Sequence, residues 1–204
     1  MNEYIDIVTK EGKPTGKSEL KSIIHQEGYY HHTAHIWFYN KKGEVLLSQR
    51  SAKKTICPLM WDVSVAGHID AGETPKEAAI REIEEEIGLS IYESDLQKIG
   101  VFECFQTYES GIIDNEFHNT FISELKVPLS NLTPQQEEVE SIKLVSFDAF
   151  EALIKNIDTN NNHFVPSNKC YYEFVIRSIK KNFNNCFNTR SHCPCFRNYF
   201  INKV

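Results

Sequence analysis

Residues 67–89 read GHIDAGETPKEAAIREIEEEIGL, and this stretch decides the fold. Thr74, Pro75 and Glu77 spell a capped helix start: a side-chain acceptor at the N-cap, proline at the first helical position and a glutamate three residues after the cap. Gly88 stands where a left-handed C-cap belongs, so the spacing predicts a helix from about residue 75 to 87. Ala79, Ile80, Ile83 and Ile87 give that helix one apolar face to bury. The opposite face carries Glu82, Glu85 and Glu86. Each like-charged pair at such spacing costs an isolated helix roughly 0.2–0.5 kcal/mol. Something positive has to offset that crowding.

Hard divalent cations take carboxylate oxygens, and Mg²⁺ characteristically binds one or two carboxylates together with substrate phosphates and water. The acidic face therefore reads as half of a metal and diphosphate site. Arg81, four residues before Glu85 and four after Glu77, is placed to orient the acids by ion pairing. The alternative is an ordinary solvated acidic face. A charge run alone does not require the glycine loop, the cap and the acid spacing to agree, and here they do.

Working outward, Trp61 to Val65 reads as a strand feeding the Gly67 loop. Thr33 to Tyr39, a turn at Lys42-Gly43 and Val45 to Gln49 form a hairpin signal. Tyr4 to Val8 alternates like an edge strand and turns at Glu11-Gly12, and Ser18 to His25 reads as a short helix. Downstream, strands are expected at Ile99 to Gln106, Phe117 to Leu125 and Ile142 to Val145, and helices at Phe147 to Lys155 and Lys169 to Lys180. This order fits a mixed sheet packed between helices. From about Asn182 helical periodicity gives way to Asn, Cys and aromatic residues, so residues 1–181 are expected to form one catalytic domain and 182–204 a poorly ordered tail.

The 204 residues, 41% hydrophobic and 25% charged, have the composition of a soluble domain with room for one good core. A net charge of −6 argues against a nucleic-acid polymer as partner. No apolar run approaches the ~18 residues of a membrane span, and the start MNEYIDIVTKEGK lacks the apolar stretch of a secretory signal. No membrane partner and a cytoplasmic location are therefore expected, which makes Cys57, Cys104, Cys170, Cys186, Cys193 and Cys195 free thiols rather than a disulfide framework. Cys186-x6-Cys193-x-Cys195 with His192 is a poor match to zinc-site spacings. Association of two copies as a homodimer stays open.

Gly67, Glu73, Arg81, Glu82, Ile83, Glu85, Glu86, Gly88 and Leu89 follow the spacing G-x5-E-x7-R-E-U-x-E-E-x-G-U, where U is aliphatic. This resembles the Nudix box, with no position violated. The resemblance implies the Nudix α/β/α sandwich, with a mixed β-sheet between helices, and a Mg²⁺- or Mn²⁺-dependent hydrolase acting on small diphosphate compounds. Outside the box, residues 4 to about 125 are similar to the isopentenyl-diphosphate isomerase branch. Lys21 and His25 keep its K-x3-H spacing, and Arg50 and Lys54 its R-x3-K spacing, whose counterparts hold the diphosphate. His31 precedes Trp37 as a metal histidine of the isomerase does, with His32 an adjacent competitor. His68 follows Gly67, and Asp114-Asn115-Glu116 matches a stretch that supplies metal and proton-transfer carboxylates. The match breaks at Ala66, where the isomerases carry a cysteine that takes part in moving the substrate proton. A methyl group neither gives nor accepts a proton, so isomerisation is disfavoured.

The expected activity is cleavage of the diphosphate linkage of a nucleoside diphosphate derivative. Glu82, Glu85, Glu86 and the Gly67 carbonyl are expected to hold the cations, and one of these glutamates or a loop acid such as Glu116 to take the proton of the attacking water. Lys21, Arg50 and Lys54 are expected to anchor phosphate charge. A second cation site is expected from His68, Asp114 and Glu116, with His25 and His31 as further candidates; imidazole suits Zn²⁺ or Mn²⁺ better than Mg²⁺. Blander readings stand beside these. His35 and His118 read as strand residues with satisfied hydrogen bonds, and Lys53 and Lys54 as loop decoration. Glu137 and Glu138 read as a solvated loop, although some Nudix enzymes carry an extra catalytic glutamate there. Two other functions stay open: the isomerase, which leaves the diphosphate intact, and a non-catalytic nucleotide-binding module, which the complete box acids disfavour.

Overall fold

The computed structural model of the chain describes residues 3–157, 159, 164–165 and 167–190. Its spine is β3 (Tyr30–Tyr39). Successive side chains on a strand point to opposite faces, so Ala34, Ile36 and Phe38 enter one core while Trp37 and Tyr39 enter another. β8 (Ile113–Glu124) runs parallel to β3, from Asn115 opposite Tyr30 to Glu124 opposite Tyr39. β7 (Gln97–Thr107) lies antiparallel beyond β8 and ends the sheet on that side.

On the other side β3 meets β4 (Glu44–Arg50) only where Tyr39 faces Val45, and the two strands then fork. Two short strands fill the fork: β5 (Trp61–Asp62) pairs with β4, and β6 (Val65–His68) pairs with β3. Ser64, fully buried between them, ties the fork together. Its hydroxyl donates to the Leu46 carbonyl at 2.6 Å and accepts the Phe38 N–H at 2.9 Å. β9 (Val139–Ser146) pairs antiparallel with β4 along its length.

α2 (Pro75–Ile87) lays Ala78, Ala79, Ile83 and Ile87 on the core that holds Ile36, Phe38 and Phe121. α3 (Phe147–Lys155) and α4 (Lys169–Arg190) cover the opposite face, where Phe150, Tyr172, Val175 and Ile179 pack with Trp37, Val45 and Leu47. Burying one such large side chain contributes about 1.5–3 kcal/mol, against about 1 kcal/mol for a helix cap, so the two apolar faces and not the caps hold the layers together. The result is the α/β/α sandwich with a mixed sheet. A separate hairpin, β1 (Tyr4–Val8) and β2 (Pro14–Leu20), leads into α1 (Lys21–Glu27). Among the described residues no helix is long and apolar enough to cross a membrane.

Several local expectations change. Ser18 to Leu20 is strand, not helix, because β2 pairs across from β1, with Ser18 opposite Asp6 and Leu20 opposite Tyr4. Pairing between strands overrides a short helical pattern. Trp61 to Val65 is broken into two strands by the Ser64 crossing. Gly67 therefore lies in β6 opposite Ala34, and the loop follows it. Asp114 and Glu116 lie on β8, so Glu116 is not a loop acid. The last helix continues past Lys180 to Arg190, and Phe183 packs edge-on to Phe147 with ring centroids 5.3 Å apart. His192, Cys193 and Cys195 lie outside the described residues; Cys57, Cys104 and Cys170 are free thiols.

Candidate active site

α2 starts as its sequence demands: Thr74 Oγ1 accepts the Glu77 N–H at 3.3 Å, and Glu77 accepts the Thr74 N–H at 2.9 Å. That exchange uses Glu77 as a cap, so the third acid on Arg81 is Glu73 instead. Arg81 donates from Nε and Nη2 to the two Glu73 oxygens at 3.0 and 2.9 Å, and from Nη1 to Glu82 at 2.7 Å and Glu85 at 3.2 Å. A further bond from Nη2 reaches the His68 carbonyl at 2.9 Å and fixes the end of β6 to the helix. One planar guanidinium thus sets the geometry of three carboxylates, and the Glu73 bonds keep it protonated far above its usual range.

Gly67 admits the cluster to the sheet. A Cβ there would lie 2.0 Å from the Glu82 carboxyl carbon, so only glycine lets this carboxylate close on the β6 backbone. Glu85 is 58% exposed, Glu82 13% and Glu86 only 8%. Burial pushes Glu86 up to about 8, the Glu82 charge adds to the shift, and Lys54 and the Ala66 N–H oppose it without prevailing. Crowded, under-neutralised oxygen donors against a glycine backbone fit a hard divalent cation.

Glu86 also lines a cleft with Ser48, Arg50, Lys54, Asp62, Val63, Ala66, Glu138 and Val139. Its walls come from β4, β5, β6, β9 and α2 and the segments between them. Arg50 is held by Asp62 at 3.2 Å and by the Ile56 carbonyl, and Lys54 is paired with Glu138. The Lys54–Glu138 pair lies on the cleft wall. Glu137 instead forms an exposed pair with Lys53. Lys21 does not line the cleft: it pairs with Glu3 at 2.7 Å, although its charge reaches Glu82 and His68.

The histidines converge on a sheet face. His25 from α1, His31 from β3 and His68 from β6 bring ligand atoms within 4.8 Å of one another. His25 Nε2 is 3.1 Å from His68 Nε2, and Glu116 Oε1 is 3.6 Å from His31 Nε2 and 4.0 Å from His68 Nε2. Asp114 stands one step back, holding His25 Nδ1 at 2.7 Å. His31 is fully buried, its Nδ1 anchored on the Tyr29 carbonyl at 2.9 Å and its Nε2 without a hydrogen-bond partner. An orphaned buried imidazole nitrogen beside two others fits a transition-metal ion. His32 does not join: its Nε2 approaches the Gly12 carbonyl and its ring packs on Phe117. Burial and the Lys21 charge hold His68 neutral, well below the usual imidazole range. Burial opposes ionisation of Glu116, but His118 and His31 outweigh it and keep the carboxylate charged.

Sequence spacing missed Asp62, Ser48 and the pairing of His35 with His118. Asp62 carries no motif; its position opposite Ser48 in β5 comes from strand pairing alone. His35 and His118 are hydrogen-bonded strand residues as read, yet their rings stack at 3.8 Å, and with Glu116 they form a further candidate group.

A sequence profile described as NUDIX domain matches residues 29–167. Nudix hydrolase 3 of Arabidopsis thaliana is 37% identical over 161 residues; the match takes in 76% of this chain but only 21% of that protein's length. Isopentenyl-diphosphate Delta-isomerase 2 of Photorhabdus laumondii is 33% identical over 76% of this chain and 84% of its own. Among solved structures, a Deinococcus radiodurans protein superposes with a TM-score of 0.64 at 18% identity, over 86% of this chain and 98% of its own. A bifunctional NMN adenylyltransferase/ADP ribose pyrophosphatase from Francisella tularensis, complexed with AMP and a Mn ion, gives 0.51 at 15% identity, over 74% of this chain and 41% of its own. These two show a shared fold. With the box geometry intact and the profile covering most of its length, the chain belongs to the Nudix family and is an enzyme of the Nudix hydrolase type.

Proposed function

We propose that this Nudix hydrolase cleaves the diphosphate linkage of a nucleoside diphosphate derivative, with Mg²⁺ or Mn²⁺ held by Glu82, Glu85, Glu86 and the Gly67 carbonyl. The observation that carries this reading is a single cleft lined by Arg50, Lys54 and the buried box acid Glu86. When bound, the cations supply charge neutralisation on the phosphate oxygens and activation of water. Arg50 and Lys54 hold the diphosphate, with Lys21 adding positive potential from outside the cleft. Arg81 keeps Glu82 and Glu85 in place. Water attacks phosphorus, the anhydride P–O bond breaks, and the leaving phosphate keeps the electron pair. The water proton passes to a cleft carboxylate, Glu86 or Glu138. Glu116 is a poorer acceptor because its oxygens are turned to His118 and His31. The fold shared with a Francisella enzyme that was crystallised with AMP and a Mn ion supports a nucleotide and Mn²⁺. His25, His31 and His68 are proposed as a second cation site for Zn²⁺ or Mn²⁺.

The isomerase relatives and this histidine cluster favour a second reading, isomerisation of an isoprenyl diphosphate. Ala66 on the cleft wall argues against it, since it offers no proton-transfer group. A screen of nucleoside diphosphate derivatives, dinucleotides and isoprenyl diphosphates with added Mg²⁺ or Mn²⁺ separates the two. Release of phosphate-containing fragments from a nucleotide is the expected result; an intact, rearranged isoprenyl diphosphate would replace hydrolysis with isomerisation. Tight binding without turnover of any compound would favour a sensor.

A further inference from the structure

Glu116 stands between two groups of imidazoles. His25, His31 and His68 form one, and His35 and His118 join Glu116 itself in the other, with ligand atoms within 4.8 Å in each. The strand register produces this arrangement. Glu116 lies opposite His31 and His118 opposite Thr33 across β3 and β8, while His35 lies opposite Ala66 across β3 and β6. Paired residues share a sheet face, so these side chains gather on one side. The Glu116 carboxylate is divided between the groups: Oε1 faces His31 and His68, and Oε2 lies 2.9 Å from His118 Nε2.

His35 has an oxygen beside its Nδ1. Trp37 Nε1 only donates, so the Tyr171 oxygen accepts from it at 2.9 Å. The Tyr171 oxygen lies 3.1 Å from His35 Nδ1. A ligating histidine characteristically gives its other ring N–H to an oxygen, which fixes tautomer and orientation. His25 meets this requirement with Asp114 and His31 with the Tyr29 carbonyl, and His35 has the Tyr171 oxygen at the same ring position.

We propose that Glu116 bridges two divalent transition-metal ions on this sheet face, one held by His25, His31 and His68 and the other by His35 and His118. The pair rests on the reading of His25, His31 and His68 as a cation site. Imidazole with carboxylate selects Zn²⁺ or Mn²⁺, whereas the all-oxygen box suits Mg²⁺, so the two centres are chemically separate. Ala66 faces His35 across the strands and also lines the cleft.

The test uses the full chain, purified without chelator and loaded with Zn²⁺ or Mn²⁺, in anomalous-difference maps and in EPR of the Mn²⁺ form. Two peaks flanking Glu116, about 3.5–4 Å apart as in other paired-metal sites, and a spin-coupled Mn²⁺ signal are expected. His118→Asn should remove the coupling and the peak beside His35 while leaving its neighbour. A single peak among His25, His31 and His68 overturns the pair and leaves the underlying site standing. No peak on either side of Glu116, with the box positions filled, overturns both. The unaltered protein carries the decision whether or not His118→Asn folds.

Discussion

The acidic face of α2 and the histidine face of the sheet are both candidate cation sites, and they are built in opposite ways. Glu82, Glu85 and Glu86 lie within one turn of one helix, so their proximity follows from helical geometry. His25, His31, His68 and Glu116 come from four elements and meet only after β3, β6 and β8 pair and α1 docks. The electrostatics differ as well. Glu86 is forced towards its neutral form by burial beside Glu82, whereas Glu116 is held charged by imidazoles. The first site is short of positive charge and calls for a hard cation. The second already carries its own donors and partners, and suits a softer one.

The largest effect expected from this contrast is on turnover. Glu86→Gln keeps the shape of the box and removes a charge, so metal-dependent release of phosphate fragments should fall by roughly 10² or more. Undiminished turnover in that variant would move the chemistry away from the helix. Gly67→Ala attacks the same site from the sheet. The atom in the way is the end of the Glu82 side chain, which can swing aside, so the variant should fold while displacing a carboxylate. A loss of about 10² in activity with a near-normal melting temperature is expected, because displacements of about 1 Å in a catalytic constellation carry that magnitude. Full activity would show that Glu82 need not touch β6.

The two regions should also differ in how stability follows pH. With cations stripped by chelator, Glu86 in the folded state titrates at about 8, above its ordinary 4.5. Between those values the folded protein holds a proton that the unfolded chain has released, so stability falls as pH rises through the window, by an amount on the order of a few kcal/mol. Glu116 runs the other way. Its carboxyl is held well below 4.5, so it contributes stability above that value and loses it only in acid. Urea unfolding of chelator-treated protein from about pH 5 to 8 should show the decline, and Glu86→Gln should flatten it. An equally steep decline in the variant would assign the effect elsewhere.

The smallest effect concerns the C-terminal boundary. A chain ending at Lys181 loses Phe183, which packs on Phe147, and Asn182, which donates to Gln97 at 2.6 Å. Loss of one partly buried aromatic costs about 1–2 kcal/mol, or about 2–8 °C in a chain of this size. A chain ending at Arg190 should match the full protein in thermal melts, and both should keep activity. A large loss on removing only residues 191–204 would make them part of the fold.

Much of this molecule was legible before any fold was in hand, and the limits are instructive. The capped helix over 75–87 and the helix over 147–155 appear where the sequence puts them, because caps and apolar periodicity act within a few residues. Ser18 to Leu20 departs from its helical pattern because a strand edge across the hairpin, not local propensity, decides its state. Arg81 bonds Glu73 where the spacing points to Glu77, because capping already uses the Glu77 side chain. His35 and His118 each looked ordinary alone; only the parallel register of β3 and β8 stacks them.

The sequence by itself determined the box, the order of the main layers and the all-oxygen character of the first site, since those depend on contacts between residues close along the chain. The pairing of β4 with β5 and β9 and the docking of α2 put Asp62, Ala66 and Glu138 beside Glu86 in one cleft, and the strand register sorted the histidines into two groups around one carboxylate. Those arrangements join residues far apart in the chain. Their geometry is set by how strands pair and faces pack, which only the tertiary structure decides.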